Sequence, residues 1–374
     1  MDVPCSLYVH IPFCRQRCHY CHFDIKVFHP SNKKRDSTIQ SYIDSLIVEL
    51  AFYAQTMGRR RLLSVYFGGG TPSYLSDGQL GQLVEAIRSY FPVEETAEWT
   101  LEMNPEDVQP GCASRLRELG FTRVSLGVQS FETKVLQAVK RNHSPEQAIA
   151  ALRELKGFRH GVSMDLILGL PHQNLDLVRR DLQKWAEFST EHLSLYLLER
   201  DIPTSLDRYK GPIPSEDDQA RFYEETCEFL GRKGFNHYEI SNFSKPGFES
   251  AHNLNYWRCG DYLGIGSAAH GRVGIDYWMN EPRVSDYVKN VEDNGNGVAR
   301  KETWSSSTLA NQELMQGMRL KEGIADSQLF PSQREALQER ETLGLVSQVQ
   351  GRWALTRRGR LLANEVFEVF LDEF

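Results

Sequence analysis

No run in this chain reaches the roughly eighteen consecutive apolar residues that a membrane-spanning helix needs, so its hydrophobic side chains have to find a buried core instead. Neither sign of charge dominates strongly. The 43 Lys and Arg stand against 50 Asp and Glu, and the net charge of -7 argues against nucleic acid or an anionic membrane as a partner attracted by the overall field. Fixed-period repeats and low-complexity tracts are missing, which excludes solenoids and disordered arrays. The first strand-like run starts at Leu7, so no leader peptide is expected. A disulfide framework is missing too: of 7 cysteines, Cys5, Cys112, Cys227 and Cys259 are scattered, the usage of a reducing compartment, and the cytoplasm is the expected location. What remains is ordinary globular material, 374 residues with 40% hydrophobic and 25% charged, enough for one large domain and a small one.

Short β-rich apolar runs recur at 7–11, 64–67, 99–103, 123–128, 162–168 and 193–198, with helical periodicity between them. After the first, Ile39, Tyr42, Ile43, Leu46, Leu50 and Tyr53 fall on one helical stripe. Strands alternating with helices imply parallel β/α units, and six of them predict an α/β fold, a partial (β/α)6 barrel of TIM type over residues 1–235. Chemistry in such a barrel gathers at the C-terminal ends of the strands. Pro203 to Asp218 reads as a loop, with Ser215 and Asp218 forming a capping box for the next helix. A further module is expected over 236–305. A small α+β domain of winged-helix type follows over 306–374, with two strands turning at Gln350-Gly351.

Against this background stands the run Cys14-Arg15-Gln16-Arg17-Cys18-His19-Tyr20-Cys21. Three thiolates in one loop can hold three irons of a 4Fe-4S cubane and leave the fourth iron open to a small chelating molecule, whereas complete protein ligation takes four. A zinc site closed by His10, His19 or His22 is the alternative, although no second Cys-x2-Cys pair exists to complete the usual two knuckles. Gly68-Gly69-Gly70-Thr71-Pro72 follows a strand directly. Consecutive glycines let backbone amides approach a ligand, though such a run by itself serves equally as a tight turn.

The cysteine spacing resembles the signature of the radical S-adenosylmethionine (SAM) proteins. Tyr8-Val9-His10-Ile11-Pro12-Phe13-Cys14, the glycine run, Glu102-Met103-Asn104-Pro105, Gly127-Val128-Gln129-Ser130-Phe131, Asp165-Leu166-Ile167-Leu168-Gly169-Leu170-Pro171 and Tyr238-Glu239-Ile240-Ser241 are similar, in order, to motifs of the oxygen-independent coproporphyrinogen oxidase family. Within it the chain most resembles the HemW branch, whose members are heme chaperones. The resemblance implies that Cys14, Cys18 and Cys21 each bind one iron. It implies that Tyr8 lies beside SAM, that Gly69, Gly70 and Thr71 line its methionine end, that Glu102 and Gln129 hydrogen-bond it, and that Arg141 and Asp165 complete the pocket. Taken singly, Arg141 reads as a surface charge, Asp165 as a helix cap and Gln129 as a turn residue.

One position divides the family. Its decarboxylating members carry a fourth cysteine two residues past the third, where this chain has Phe23, and they begin with an extension that covers the substrate. Both differences point to the chaperone branch, with heme, a heme-acceptor protein and a reductant as implied partners. A coproporphyrinogen III oxidase, or another radical SAM enzyme acting on a tetrapyrrole, is the alternative. The run His252-Asn253-Leu254-Asn255-Tyr256-Trp257 resembles a motif of the same branch. His252 is there a candidate heme ligand with Tyr256 and Trp257 as apolar walls, or a hydrogen-bonded core histidine. Cys259 is a weaker attachment candidate, and no Cys-x-x-Cys-His run holds c-type heme. Arg352, Arg357, Arg358 and Arg360 suggest a DNA-binding wing, but Glu335, Glu339, Glu341, Glu365, Glu368 and Asp372 offset them; contact with a partner or a role as a lid is the expectation.

Overall fold

The computed structural model describes residues 4–29 and 31–371. Six strands, β1 (Cys5–Ile11), β2 (Leu62–Gly69), β3 (Val93–Met103), β4 (Arg123–Gln129), β5 (Val162–Leu168) and β6 (His192–Leu197), pair in parallel in that order. All six expected strands are present and build the partial barrel. On their outer face Leu7, Val9, Val65, Phe67, Leu101, Val124 and Leu126 are buried under helices such as Arg35–Thr56 and Asp77–Tyr90, which contribute Tyr42, Leu46, Leu83 and Ile87.

Because side chains alternate along a strand, the intervening residues face the lumen. There they are polar: Ser64 Oγ donates to Ser6 Oγ at 2.7 Å, Tyr66 to Glu102 at 2.7 Å and Ser125 to Asp165 at 2.9 Å, and Ser163 meets Ser194 at 3.1 Å. A TIM barrel fills this space with branched apolar side chains. A lumen built from hydroxyls and carboxylates has to be satisfied group by group.

The segment 236–303 joins the same sheet at both of its edges. The hairpin β7 (Asn236–Glu239) and β8 (Asn242–Ser244) lies antiparallel beside β6, while β9 (Tyr262–Ile265) runs parallel to β1 and leads into antiparallel β10 (His270–Val273), β11 (Asp276–Asn280) and β12 (Val298–Thr303). The result is one 12-stranded sheet in the order β12-β11-β10-β9-β1-β2-β3-β4-β5-β6-β8-β7. Glu49 fastens the extension to the barrel. Fully buried, it accepts from the amides of Gly266 and Gly297, from Asn280 Nδ2 and from the Tyr287 hydroxyl at 2.7–3.0 Å.

Beyond it, helices Ser306–Met318 and Pro331–Thr342 and a three-stranded sheet, β13 (Ile324–Ala325), β14 (Val346–Val349) and β15 (Arg352–Leu355) in the order β13-β15-β14, enclose a second core around Leu314, Met318, Leu337, Trp353 and Phe370. The wing turns through Gln350 and Gly351, both at positive φ as a two-residue hairpin requires. No helix among the described residues is long and apolar enough to cross a membrane.

Candidate functional site at the mouth of the barrel

At the C-terminal ends of the six strands lies a cavity of about 430 Å³. Cys14, Cys18 and Cys21 line it together with Gly69, Gly70, Thr71, Glu102, Gln129, Arg141 and Asp165, so residues up to 151 positions apart in sequence meet as the motif order implied. Backbone pairing joins two of the motifs: Gly70 N donates to Ile11 O at 2.8 Å and Thr71 N to Phe13 O at 2.9 Å, which docks the glycine loop on the segment carrying Cys14. Gly69 sits at φ 107°, and a Cβ there would fall 2.5 Å from the His10 ring. Only glycine fits this turn.

The cysteine loop is held from both sides. His19 N donates to Val139 O at 3.0 Å, His19 O accepts from Leu206 N at 3.0 Å, and the Arg17 guanidinium donates to the carbonyls of Cys21, Phe23 and Ile25 at 2.9–3.3 Å. All three thiols are free and half-buried. Burial pushes the Cys14 thiol up to about 12 and raises Cys21, so loading a metal on this loop has to displace protons.

Glu102 on β3 and Asp165 on β5 both line the upper lumen. Tyr66 and Gly69 N donate to Glu102 at 2.7 and 3.2 Å, yet burial still pushes its carboxyl up to about 7. Asp165 accepts from Ser125 and Ser163, and burial raises it as well. It stands fourth in a strand of seven residues, facing inward. The reading of Asp165 as a helix cap is therefore corrected. Arg141 is no surface charge: its guanidinium donates to Asn104 Oδ1 at 2.7 Å and Gly127 O at 2.5 Å and stands 3.8 Å from Cys18 Sγ. Gln129, at φ 68°, keeps Oε1 buried without a partner, as does Arg141 with Nε. Orphaned polar atoms lining a cavity are the mark of a ligand's place.

Comparison with known proteins decides what family this architecture belongs to. The Radical SAM superfamily model matches residues 8–184. A "Heme chaperone HemW" of Lactococcus lactis is 35% identical over 99% of this chain and 98% of its own length, and one of Escherichia coli is 32% identical over 99% of each. The chain belongs to the HemW family. The solved structure of coproporphyrinogen III oxidase (HemN) from Escherichia coli, described as a radical SAM enzyme, superposes with a TM-score of 0.87 at 25% identity, covering 100% of this chain and 91% of that one.

Membership in the radical SAM superfamily implies a 4Fe-4S cluster and SAM. The residues at the mouth fit them: three free thiols on one loop, a buried guanidinium beside one of them, and a carboxylate with an amide oxygen available to an ammonium or hydroxyl. Tyr8 lies one layer below, outside the cavity lining. Its hydroxyl meets His10 Nδ1 at 3.0 Å and its ring stacks on Tyr66 at 6.1 Å.

The histidine motif of this HemW-family chain lies elsewhere, at the floor of the lumen. Helix Ala251–Trp257 closes it, with Glu98 accepting from Ser250 Oγ and from the amides of Ala251 and His252 at 3.1–3.2 Å. His252 is 1% exposed; Nδ1 meets Ser64 Oγ at 2.9 Å, Nε2 meets the Tyr256 hydroxyl at 3.1 Å, and the ring stacks on Tyr66 at 4.9 Å. Burial lowers its pKa to about 3, so the imidazole is neutral. Trp257 takes the Arg319 guanidinium over its ring at 4.1 Å. In this arrangement no nitrogen of His252 is open to an iron.

Among the residues of the mouth that the sequence assigned no role, two make polar contacts central to the site. Asn104 and Ser125 both line the cavity. A signal existed for Ser125, since the alternation in Arg123-Val124-Ser125-Leu126-Gly127 separates an apolar outer face from a polar inner one.

Proposed function

We propose that this chain is a heme chaperone of the HemW type, a radical-SAM-type iron-sulfur protein that binds SAM and heme and passes heme to an acceptor protein. The relatives named heme chaperones cover it end to end, but the oxidase structure shares the same fold, so fold alone does not separate the two activities. Phe23 carries the distinction. It occupies the position of the decarboxylating branch's fourth cysteine, lies at the rim of the cavity and is 53% exposed, so a hydrophobic ring stands where that chemistry places a thiol.

In this reading Cys14, Cys18 and Cys21 hold three irons. Gly69, Gly70 and Thr71 line the methionyl end of SAM; Glu102 and Gln129 accept from its polar groups, and Arg141 and Asp165 close the pocket. A reductant serves the cluster. Free cysteines throughout the described chain favour the reducing cytoplasm. For His252 the buried, doubly bonded geometry favours the hydrogen-bonding role over heme ligation, which would need Tyr256 to release Nε2.

The test is anaerobic. Reconstituted, reduced, SAM-loaded protein is given coproporphyrinogen III, and separately one equivalent of heme followed by an apo-hemoprotein. Unchanged coproporphyrinogen together with heme bound and then delivered supports the reading. Release of two CO2 per tetrapyrrole overturns it in favour of the oxidase.

A further inference from the structure

The mouth contains an unbroken arc of polar contacts between two of the three cysteine sulfurs. Cys14 Sγ lies 3.2 Å from Thr71 Oγ1, which accepts from Asn104 Nδ2 at 3.0 Å; Asn104 Oδ1 accepts from Arg141 Nη2 at 2.7 Å, and Arg141 Nη1 reaches Cys18 Sγ at 3.8 Å. The orientation of the amide is fixed by chemistry. A guanidinium only donates, so the oxygen of Asn104 has to face Arg141 and its NH2 has to face Thr71. With a lone pair of Oγ1 taken by that NH2, the Thr71 hydroxyl proton is free to point at Cys14 sulfur. On the other side, Asn104 Oδ1 and Gly127 O together fix one Arg141 nitrogen and leave the other directed at Cys18.

Room for the arc comes from Gly127. A Cβ there would stand 3.0 Å from Gln129 Nε2, 3.3 Å from Asn104 Oδ1 and 3.4 Å from Arg141 Nη2, tight contacts with three polar groups of the site at once.

We propose that Asn104 is a positioning residue that aims two hydrogen-bond donors, the Thr71 hydroxyl and the Arg141 guanidinium, at the sulfurs of Cys14 and Cys18 and thereby raises the reduction potential of the cluster they hold. The inference rests on the cluster reading above. Reduction adds negative charge that spreads onto the thiolate sulfurs, and donors on those sulfurs stabilise the reduced form more than the oxidised one. Arg141 adds a full positive charge from a half-buried position, where water screens it less than at the surface. Asn104 touches neither sulfur; its influence passes through the two side chains it orients.

The experiment is a redox titration of the reconstituted cluster, followed by electron paramagnetic resonance, in the parent, Asn104→Ala, Thr71→Val and the double variant. Iron and sulfide are counted in each sample first. Absence of iron and sulfide from the parent sinks the cluster reading itself, and the inference with it. With the cluster present, the inference expects both single variants to titrate at lower potential than the parent, Asn104→Ala by a tenfold change in the reduced-to-oxidised ratio at fixed ambient potential, 59 mV for one electron. Because both act on one arc, the double variant should shift by less than the sum of the singles. A merely structural asparagine would lower the melting temperature and leave the potential in place. Parent-like potential in a fully loaded Asn104→Ala overturns the proposal; should that variant lose its cluster, an unchanged potential in Thr71→Val overturns it equally, and loss of the cluster from both variants, which makes the arc a structural brace, does so too.

Discussion

At the floor of the lumen the acid and the imidazole are both satisfied: Glu98 accepts three donors from the cap of helix Ala251–Trp257, and both nitrogens of His252 are bonded. At the mouth, some 10 to 15 Å higher along strands rising about 3.3 Å per residue, Gln129 Oε1 and Arg141 Nε have no partner. Apart from the cysteines, glutamine and arginine of the mouth, the two ends share carboxylates, hydroxyls and tyrosines, so those residue types by themselves do not distinguish them. Satisfaction does. A buried polar network with all its partners rigidifies, while one left incomplete holds a place for a ligand.

Titration separates the ends in sign. Glu102 at the mouth is pushed from its ordinary 4.5 up to about 7, so between those values the folded state holds its proton more tightly than the unfolded chain, and stability falls as pH rises through that window. His252 at the floor is lowered from 6.5 to about 3, so the unfolded chain holds the proton more tightly and stability falls as pH drops through that window.

The largest contrast should come from the cysteines. Changing Cys14, Cys18 or Cys21 to Ala should abolish the visible iron-sulfur absorbance and the bound iron and sulfide, because two thiolates in the loop do not hold a cubane, while Glu98→Ala should leave the cluster intact. Denaturant unfolding of metal-free Glu98→Ala should instead show a loss on the order of 3 kcal/mol, since three buried donors lose their acceptor. An unaffected midpoint would mean that the helix cap does not close the floor.

Next comes Glu102. At about 1.4 kcal/mol per pH unit, its shift caps the stability change between pH 4.5 and 7 at about 3 kcal/mol. Metal-free Glu102→Gln should flatten the unfolding free energy over that range. In the loaded protein, SAM affinity should rise with pH up to about 7, because an ammonium prefers the ionised carboxylate; a pH-independent dissociation constant would remove Glu102 from the site. The smallest effect belongs to His252→Ala, a loss of about 1–2 kcal/mol in stability with iron and sulfide unchanged.

How much of this was readable in the sequence depends on the range of the interactions involved. The six barrel strands announced themselves by apolar runs between helical stripes, and the cysteine loop by spacing. The wing turn showed in Gln350-Gly351. The sheet extension over 236–303 did not, because its strands are only three to six residues long and pair across connections without a repeating pattern. The cap from Glu98 to Ser250 spans 152 residues, beyond any local rule. Asn104 was visible within a motif, but its role lies in contacts to Thr71, 33 positions away, and Arg141, 37 away.

Heme titration of His252→Ala against the parent, with iron and sulfide equal in both, separates the binding mouth from the supporting floor. If the floor is a closed support, the variant keeps the parent's heme affinity and Soret band and loses only stability. A shifted Soret band with weakened heme retention in a well-folded variant would contradict this and make His252 a ligand.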